Sequence, residues 1–269
     1  MIRHELGKWN LDELVKNPTR AVFDQKLAKI ESNAKRFEKI KKSLNPKVSS
    51  GKFLRLLRDI ENITEKSSVI GGYASLRYSE NTQSDEATSL LTRITKFGSD
   101  IENRLLFFDL WWKKQIDEKN ARRLIKSAGQ FSEYLRFKRL LAKYSLSEPE
   151  ERIINTLDVT GASALVKLYD KITNAYVYVV TVDGKKRTMN REQLTTLVRS
   201  KKAKTREAAY KSLFSKYNEN KYIKSLNEIL VCTIAKSKNR HPNQPRHNQR
   251  TENYCLITYC GGSCKRFSE

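Results

Sequence analysis

At 269 residues, with 38% hydrophobic and 31% charged side chains, the chain can form one large domain or two smaller ones around a core that needs no staples. Its 53 Lys and Arg against 30 Asp and Glu give a formal charge of +23, which raises nucleic acid as a partner, but the cations are interleaved with acids, as in Lys35-Arg36-Phe37-Glu38-Lys39, and read better as solvated helix faces. No run approaches the roughly 18 apolar residues that would span a bilayer, and Met1-Ile2-Arg3-His4-Glu5-Leu6 turns polar too soon for a secretory leader, so no membrane association and a cytoplasmic location are expected.

The first predicted helix starts after Thr19, a suitable N-cap, and carries Phe23, Leu27, Ile30, Ala34, Phe37 and Leu44 at three- and four-residue steps, with a gap at Lys41. Asn45-Pro46 stops it, because the residue before proline is driven out of the helical region. A second helix runs from about Ser50 with Phe53, Leu56, Leu57, Ile60 and Ile63 inward, and Gly71-Gly72 is where it is expected to break or bend. A third, after Ser79-Glu80-Asn81-Thr82, carries Leu90, Leu91, Ile94, Phe97, Ile101, Leu105 and Phe108 and is expected to be central.

A fourth helix is predicted from Asp117-Glu118 as one piece through Leu124, Ile125, Ala128, Phe131, Leu135 and Leu140. Ser147-Glu148-Pro149-Glu150 opens a fifth, with serine at the cap, proline in the first turn and glutamate at the third position. The run Tyr176-Val177-Tyr178-Val179-Val180-Thr181-Val182 departs from helix; Asp183-Gly184 and then Lys185 to Met189 make it a hairpin. Helices resume near Arg191 and from about Thr205 to Leu230. The fold class is therefore mainly α, a multi-helix lobe with one small β-hairpin and an irregular C-terminal tail.

Three groups of residues invite a chemical reading. His4-Glu5-Leu6-Gly7-Lys8 approaches a zincin motif, but Lys8 stands where the second imidazole is needed, and a protonated ammonium cannot ligate a metal. His241, His247, Cys255, Cys260 and Cys264 could gather zinc, although only Cys255 and Cys260 approach the tight pairing of structural zinc sites. Glu148, Glu150 and Glu151 crowd one helix start, where capping and dipole compensation account for them more cheaply than acid–base catalysis. Trp9, Trp111 and Trp112 could stack on a ligand, yet the last two continue Leu105-Leu106-Phe107-Phe108 and read as core. No catalytic residue and no metal ligand is assigned, and no substrate-binding residue is singled out.

Several stretches carry a family resemblance: Tyr73-Ala74-Ser75-Leu76-Arg77-Tyr78-Ser79 with Asn81-Thr82, Leu106-Phe107-Phe108-Asp109-Leu110 leading to Asp117, Tyr134-Leu135, Leu146-Ser147-Glu148-Pro149-Glu150-Glu151, Gly161-Ala162-Ser163-Ala164, and Arg206-Glu207-Ala208-Ala209-Tyr210. In order and spacing, over roughly residues 9 to 230, they resemble the N-terminal part of the oligoendopeptidase F family, zinc metallopeptidases similar to thimet oligopeptidase. The resemblance implies a mainly helical, two-lobed enzyme that encloses a channel and trims short peptides, with one zinc held by two histidines and a more distant glutamate. In that family the ligands and the general base lie beyond position 230, so none is carried over, and zinc is a cofactor of the full-length family rather than of this chain.

The resemblance implies four regions: 1–112, N-terminal helices; 113–190, the oligopeptidase F N-terminal-type region ending in the hairpin; 191–231, the start of a catalytic domain; and 232–269, an aberrant tail. From Ala235 to His247 the hydrophobic period is lost, and cysteine, histidine and proline arrive together. A shifted reading frame from about Cys232 would produce that change. The expected function is an N-terminal fragment of a short-peptide metallopeptidase, inactive alone for want of His-Glu-x-x-His and open to pairing with a separate catalytic half. Without the second lobe, apolar channel surface would meet water, an aggregation risk. The alternative is a basic helical nucleic-acid-binding protein with a Cys/His tail, whose binding would fall steeply with salt. Translating the other two frames downstream of the Cys232 codon should yield a helix bearing His-Glu-x-x-His; its absence from both removes the frameshift reading.

Overall fold

The computed structural model describes residues 10–239, with side chains through Leu230. These form two compact units that divide between Val159 and Thr160. The first contains α1 (Arg20–Glu38), α2 (Ser50–Glu80), α3 (Asp85–Leu110), α4 (Glu118–Lys126), α5 (Ser132–Leu140) and α6 (Glu148–Thr160), which ends at the division. The second contains α7 (Ala162–Asn174), the strands β1 (Tyr178–Val182) and β2 (Lys185–Met189), α8 (Arg191–Leu197), α9 (Ala203–Glu219) and α10 (Lys221–Asn239).

In the first unit the apolar stripes of α1, α2 and α3 meet. Phe23, Leu27, Ile30, Ala34 and Phe37 of α1 are buried with Phe53, Leu56, Leu57 and Ile63 of α2 and Ile94, Ile101, Phe107 and Phe108 of α3. Thr19, Ser49 and Ser84 each cap the helix that follows by accepting a backbone N–H, from Val22, Lys52 and Ala87 respectively. Past Leu110 the chain makes a π-helical turn over Trp111–Gln115, with the Ile116 N–H donating to the Trp111 carbonyl at 3.1 Å. Phe107, Phe108, Trp111 and Trp112 are all buried, a stripe two residues wide that a helix shows when pairs of large apolar residues recur four apart.

The aromatic rings converge there. Phe53 stacks on Trp112 with centroids 5.2 Å apart, Phe108 lies 5.5 Å from Trp111, and Phe37 meets Phe108 edge-on at 5.6 Å. The Trp112 indole N–H donates to the Leu135 carbonyl at 3.0 Å, which fixes α5 to the π-helical turn. Arg139 Nη1 donates to the carbonyls of Trp112 and Ile116 at 3.1 and 3.3 Å, and its Nη2 to Glu118 at 2.9 Å, so one guanidinium satisfies carbonyls that a helix end leaves without partners.

Four elements differ from the expectations. The first helix tightens to a 3-10 turn at Lys39–Ser43, where the gap at Lys41 removes the stripe that would hold it to the core. The second runs unbroken through Gly71 and Gly72, because Ile70, Tyr73 and Ala74 on either side are buried and hold it in place. The fourth is two helices: Gly129 at φ +55° turns the chain between α4 and α5, a conformation that costs other residues about 1–2 kcal/mol. The helix expected from Thr205 to Leu230 is divided at Asn220 into α9 and α10, and α10 continues through residues 232–239, which were assigned to the irregular tail. Nothing between Val231 and Asn239 is Gly or Pro, so the lost apolar period alone does not end the helix.

In the second unit β1 and β2 pair antiparallel with Val182 opposite Lys185, and Asp183 (φ 50°) and Gly184 (φ 75°) form the two-residue turn. The β1 side chains alternate, so Tyr178, Val180 and Val182 are buried with Tyr169 of α7, Leu194 of α8, Ala209 of α9 and Ile223, Leu226 and Leu230 of α10. Asn190 and Gln193 close a reciprocal capping box on α8. The division at Val159 falls inside the expected region 113–190, because Ile116, Ala121, Leu124 and Leu135 pack into the first core whereas Tyr178 and Val180 pack into the second.

Gly129→Ala should cost the first unit about 1 kcal/mol of stability through backbone strain alone, since a Cβ there meets nothing within 4 Å. Gly129→Asn should cost less. Urea unfolding followed by tryptophan fluorescence compares the two.

Candidate binding cavity

The residues singled out in the sequence fall into three groups. His4, Glu5, Lys8 and Trp9 lie outside the described residues, as do His241, His247, Cys255, Cys260 and Cys264. Trp111 and Trp112 are core, only 4% and 2% exposed. Glu148, Glu150 and Glu151 hold the start of α6. Glu150 accepts from the backbone N–H and hydroxyl of Ser147 at 2.8 and 2.6 Å, Glu151 accepts from the Leu146 N–H at 2.9 Å, and Glu148 accepts from Lys41 at 2.8 Å and from Arg152 at 3.0 Å. These bonds hold the Glu148 and Glu150 carboxyls below their usual range, the hydrogen bonds from Lys41 and Ser147 respectively contributing most. All three carboxylates are therefore committed to structure.

Zinc, which the resemblance implies, needs imidazoles presented together with a further donor. Among the described residues no group of three His, Cys, Asp or Glu stands where it could hold a metal ion, and the chain's three histidines, His4, His241 and His247, include no pair four apart. The described residues do not fit that ion.

The first unit contains a cavity of about 760 Å³, within the size range of small-ligand sites. Three helices build most of it by helical repeat, and Asn155 of α6 completes the lining. From α2 come Leu57, Ile60, Glu61, Thr64, Glu65 and Ser68; from α3, Glu102, Leu105, Leu106, Phe108 and Asp109, continued by Trp112; Tyr134, Leu135 and Lys138 come from α5, preceded by Phe131. In each helix the members recur at steps of three and four, so the cavity is the edge of the same stripes that form the core. Its floor is apolar, and its rim carries Glu61, Glu65 and Glu102.

The basic side of the wall is neutralised from within. Asp109 accepts from Lys138 at 2.9 Å and from Lys113 at 2.5 Å. Burial pulls the Lys138 ammonium down, but the charge of Asp109, followed by Tyr134, more than restores it, so it stays protonated with a raised pKa. Glu102 has no such compensation at contact distance. The protein packed round it strips enough water to raise its carboxyl above the ordinary range, against a weaker pull from Lys138, although the side chain still reaches solvent at the rim. Sequence reading passed over Glu61, Glu65 and Glu102; the available signal was the position of Glu61 and Glu102 one step from Ile60 and Ile101, at the border of an apolar stripe rather than opposite it.

In the second unit the hydroxyls of Tyr176, Tyr178 and Tyr217 are buried without a hydrogen-bond partner among the described residues. Tyr217 faces Tyr178 and Asn220 lies near Tyr176, but neither approach has hydrogen-bond geometry. Burial is the main reason that the Tyr178 hydroxyl resists ionisation. The rings compensate in part by packing edge-on, Tyr176 at 6.3 Å from Tyr178 and 5.7 Å from Tyr217.

Comparison with known proteins yields two findings. Residues 114–177 match the sequence model of the family described as Oligopeptidase F. The fold is similar to that in the crystal structure of oligoendopeptidase-F from Enterococcus faecium, with a TM-score of 0.66 and 18% identity, over 81% of this chain and 43% of that one. The chain thus spans less than half the length of that relative. No curated protein matches it.

The raised carboxyl of Glu102 gives a stability test whose sign follows from linkage. A carboxyl raised in the folded state favours folding fully below the unfolded pKa and loses that contribution as pH rises through the folded one. Glu102→Gln should therefore stabilise the first unit at neutral pH, by up to about 1 kcal/mol after allowing for solvent screening, and leave stability unchanged below about pH 4. Urea midpoints at the two pH values measure the difference.

Proposed function

We propose that this chain, an oligopeptidase F-like N-terminal portion in fold and, across residues 114–177, in sequence, serves as the front lobe of a peptidase acting on short peptides and does not hydrolyse peptides by itself. The observation that carries the reading is the conjunction of the two likenesses: the helical order reproduces the fold over 81% of the chain, and the family match falls within that order, from the π-helical turn to the start of the hairpin.

The second half of the proposal comes from the chemistry. Amide hydrolysis by a metal-bound water needs ligands held in fixed geometry and a base beside them. These 269 residues contain no His-Glu-x-x-His, and no step through a metal is assigned to them. The carboxylates that crowd the start of α6 do not supply an alternative acid–base pair, since Glu148, Glu150 and Glu151 are each bound to a cation, a hydroxyl or a backbone N–H. Catalysis in the whole enzyme is therefore assigned to a portion that this sequence does not contain, and the role proposed for the lobe is to border the space that receives the peptide.

Purified chain supplied with Zn²⁺ and a short, internally quenched peptide should show no cleavage above background. Turnover by a homogeneous sample that is abolished by a chelator would overturn the proposal.

A further inference from the structure

We infer that the outer edge of β2 is a docking site for an acidic peptide segment, which adds to the hairpin as a third strand with its carboxylates beside Lys185, Lys186 and Arg187. The inference rests on the hairpin and the charges around it and does not depend on the peptidase reading.

The register decides which backbone groups are open. In an antiparallel ladder, residues facing each other alternate between pairs that exchange both hydrogen bonds and pairs that exchange none. The two-residue turn at Asp183-Gly184 makes Val182 and Lys185 a bonded pair, as are Val180 with Arg187 and Tyr178 with Met189. The N–H and C=O of Val179 and Thr181 therefore point away from the partner strand on one side of the hairpin, and those of Lys186 and Thr188 on the other. The β1 side is covered: the Ser212 hydroxyl of α9 donates to the Val179 carbonyl at 3.2 Å, and Ala209 of the same helix shares a core with Val180. Among the described residues nothing bonds the outward groups of Lys186 and Thr188, and Lys185 through Thr188 are exposed. An edge of this kind is a template for a further strand.

The charge selects the strand. Between Lys185 and Arg206 stand nine Lys and Arg and one acid, Glu192, against 53 and 30 in the whole chain. Lys202 reaches back to Asp183 at 2.8 Å, so the loop between α8 and α9, with Arg199, Lys201 and Lys202, is drawn to the turn end of the hairpin. Arg206 holds that loop by donating to the carbonyls of Ser200 and Lys201 at 2.8 and 3.0 Å. Lys185 and Arg187 lie on one face of β2 and Lys186 on the other, so an added strand meets a cation whichever way its side chains alternate. A second copy of β2 is repelled by the same charges, which is how edge lysines prevent self-pairing. A nucleic acid would use the cations but not the open N–H and C=O groups, and residues 183–206 include no aromatic side chain on which a base could stack. An extended acidic peptide uses both.

Fluorescence anisotropy at physiological salt tests this with the full chain and four labelled probes. They are a capped hexapeptide alternating glutamate and valine, the same peptide with glutamine for glutamate, the glutamate peptide methylated on every backbone nitrogen, and single-stranded oligouridylate. The glutamate peptide should bind at least about tenfold more tightly than each of the others. Lys186→Glu with Arg187→Glu should lose about tenfold in affinity for it, whereas Lys96→Glu with Lys119→Glu, the same change of charge on α3 and α4, should lose less than about twofold. Thr188→Pro, which removes an outward N–H and leaves the bonds to β1 in place, should lose about fivefold. The methylated peptide probes the same bonds without altering the protein. Equal binding of the glutamine or methylated peptide, tighter binding of the RNA, no binding of the glutamate peptide, or native affinity in the Lys186, Arg187 double variant would each overturn the inference. Binding is read without turnover, so its failure leaves the proposal of a non-hydrolytic lobe intact.

Discussion

The first unit depends on the packing of Phe53 against Trp112 and on the single hydrogen bond from the Trp112 indole to the Leu135 carbonyl. Trp112 is almost wholly buried, so its N–H has to be satisfied inside the protein, and a carbonyl of α5 is what satisfies it. That requirement brings the segment after α4 back onto α3. Removing a buried tryptophan typically costs about 3–5 kcal/mol, comparable to the whole stability of many domains, and here it would also release the element that forms one wall of the cavity. Arg139 reinforces the same junction from outside by binding the carbonyls of Trp112 and Ile116.

The cavity is a consequence of this junction. Helix α5 is short, from Ser132 to Leu140, while α2 and α3 are 31 and 26 residues long, and α5 contributes only Tyr134, Leu135 and Lys138 to the lining. Leu135 goes to the core, whereas Tyr134 and Phe137 remain 49% and 47% exposed, so α5 has too few inward side chains to cover Leu105 and Leu106 completely. An apolar surface left partly open would ordinarily be a liability. Here charges border it, and they keep water at the rim.

Much of the fold was legible because long helices repeat their signal. Thr19 and Asn45-Pro46 bracketed α1, the stripes of α2 and α3 ran for many turns, and Asp183-Gly184 after a β-branched run specified the hairpin and its turn. Two of the misreadings share a physical cause. Gly129 and Asn220 each divide a helix without disturbing the apolar period on either side, so the backbone conformation of a single residue decided what periodicity could not reveal. Gly71 and Gly72 carry the opposite lesson, since packing on both sides overrides their weak helix propensity. The cavity was not legible at all. Glu61 and Glu102 are about forty positions apart in sequence, and nothing local says that two border positions on different helices face one space.

The pairing of acids elsewhere bears on why the rim is left as it is. A chain with so many cations neutralises many of its exposed carboxylates with a lysine one helical turn away, as Glu31 and Glu207 illustrate, although not all of them. At the cavity the available positions are taken differently: Lys113 and Lys138 both go to Asp109, which leaves three acids beside leucines and an aromatic ring. At Glu102 folding gains nothing from that arrangement, because a carboxylate that loses water without gaining a partner opposes it, whereas Glu61 and Glu65 stay exposed to solvent.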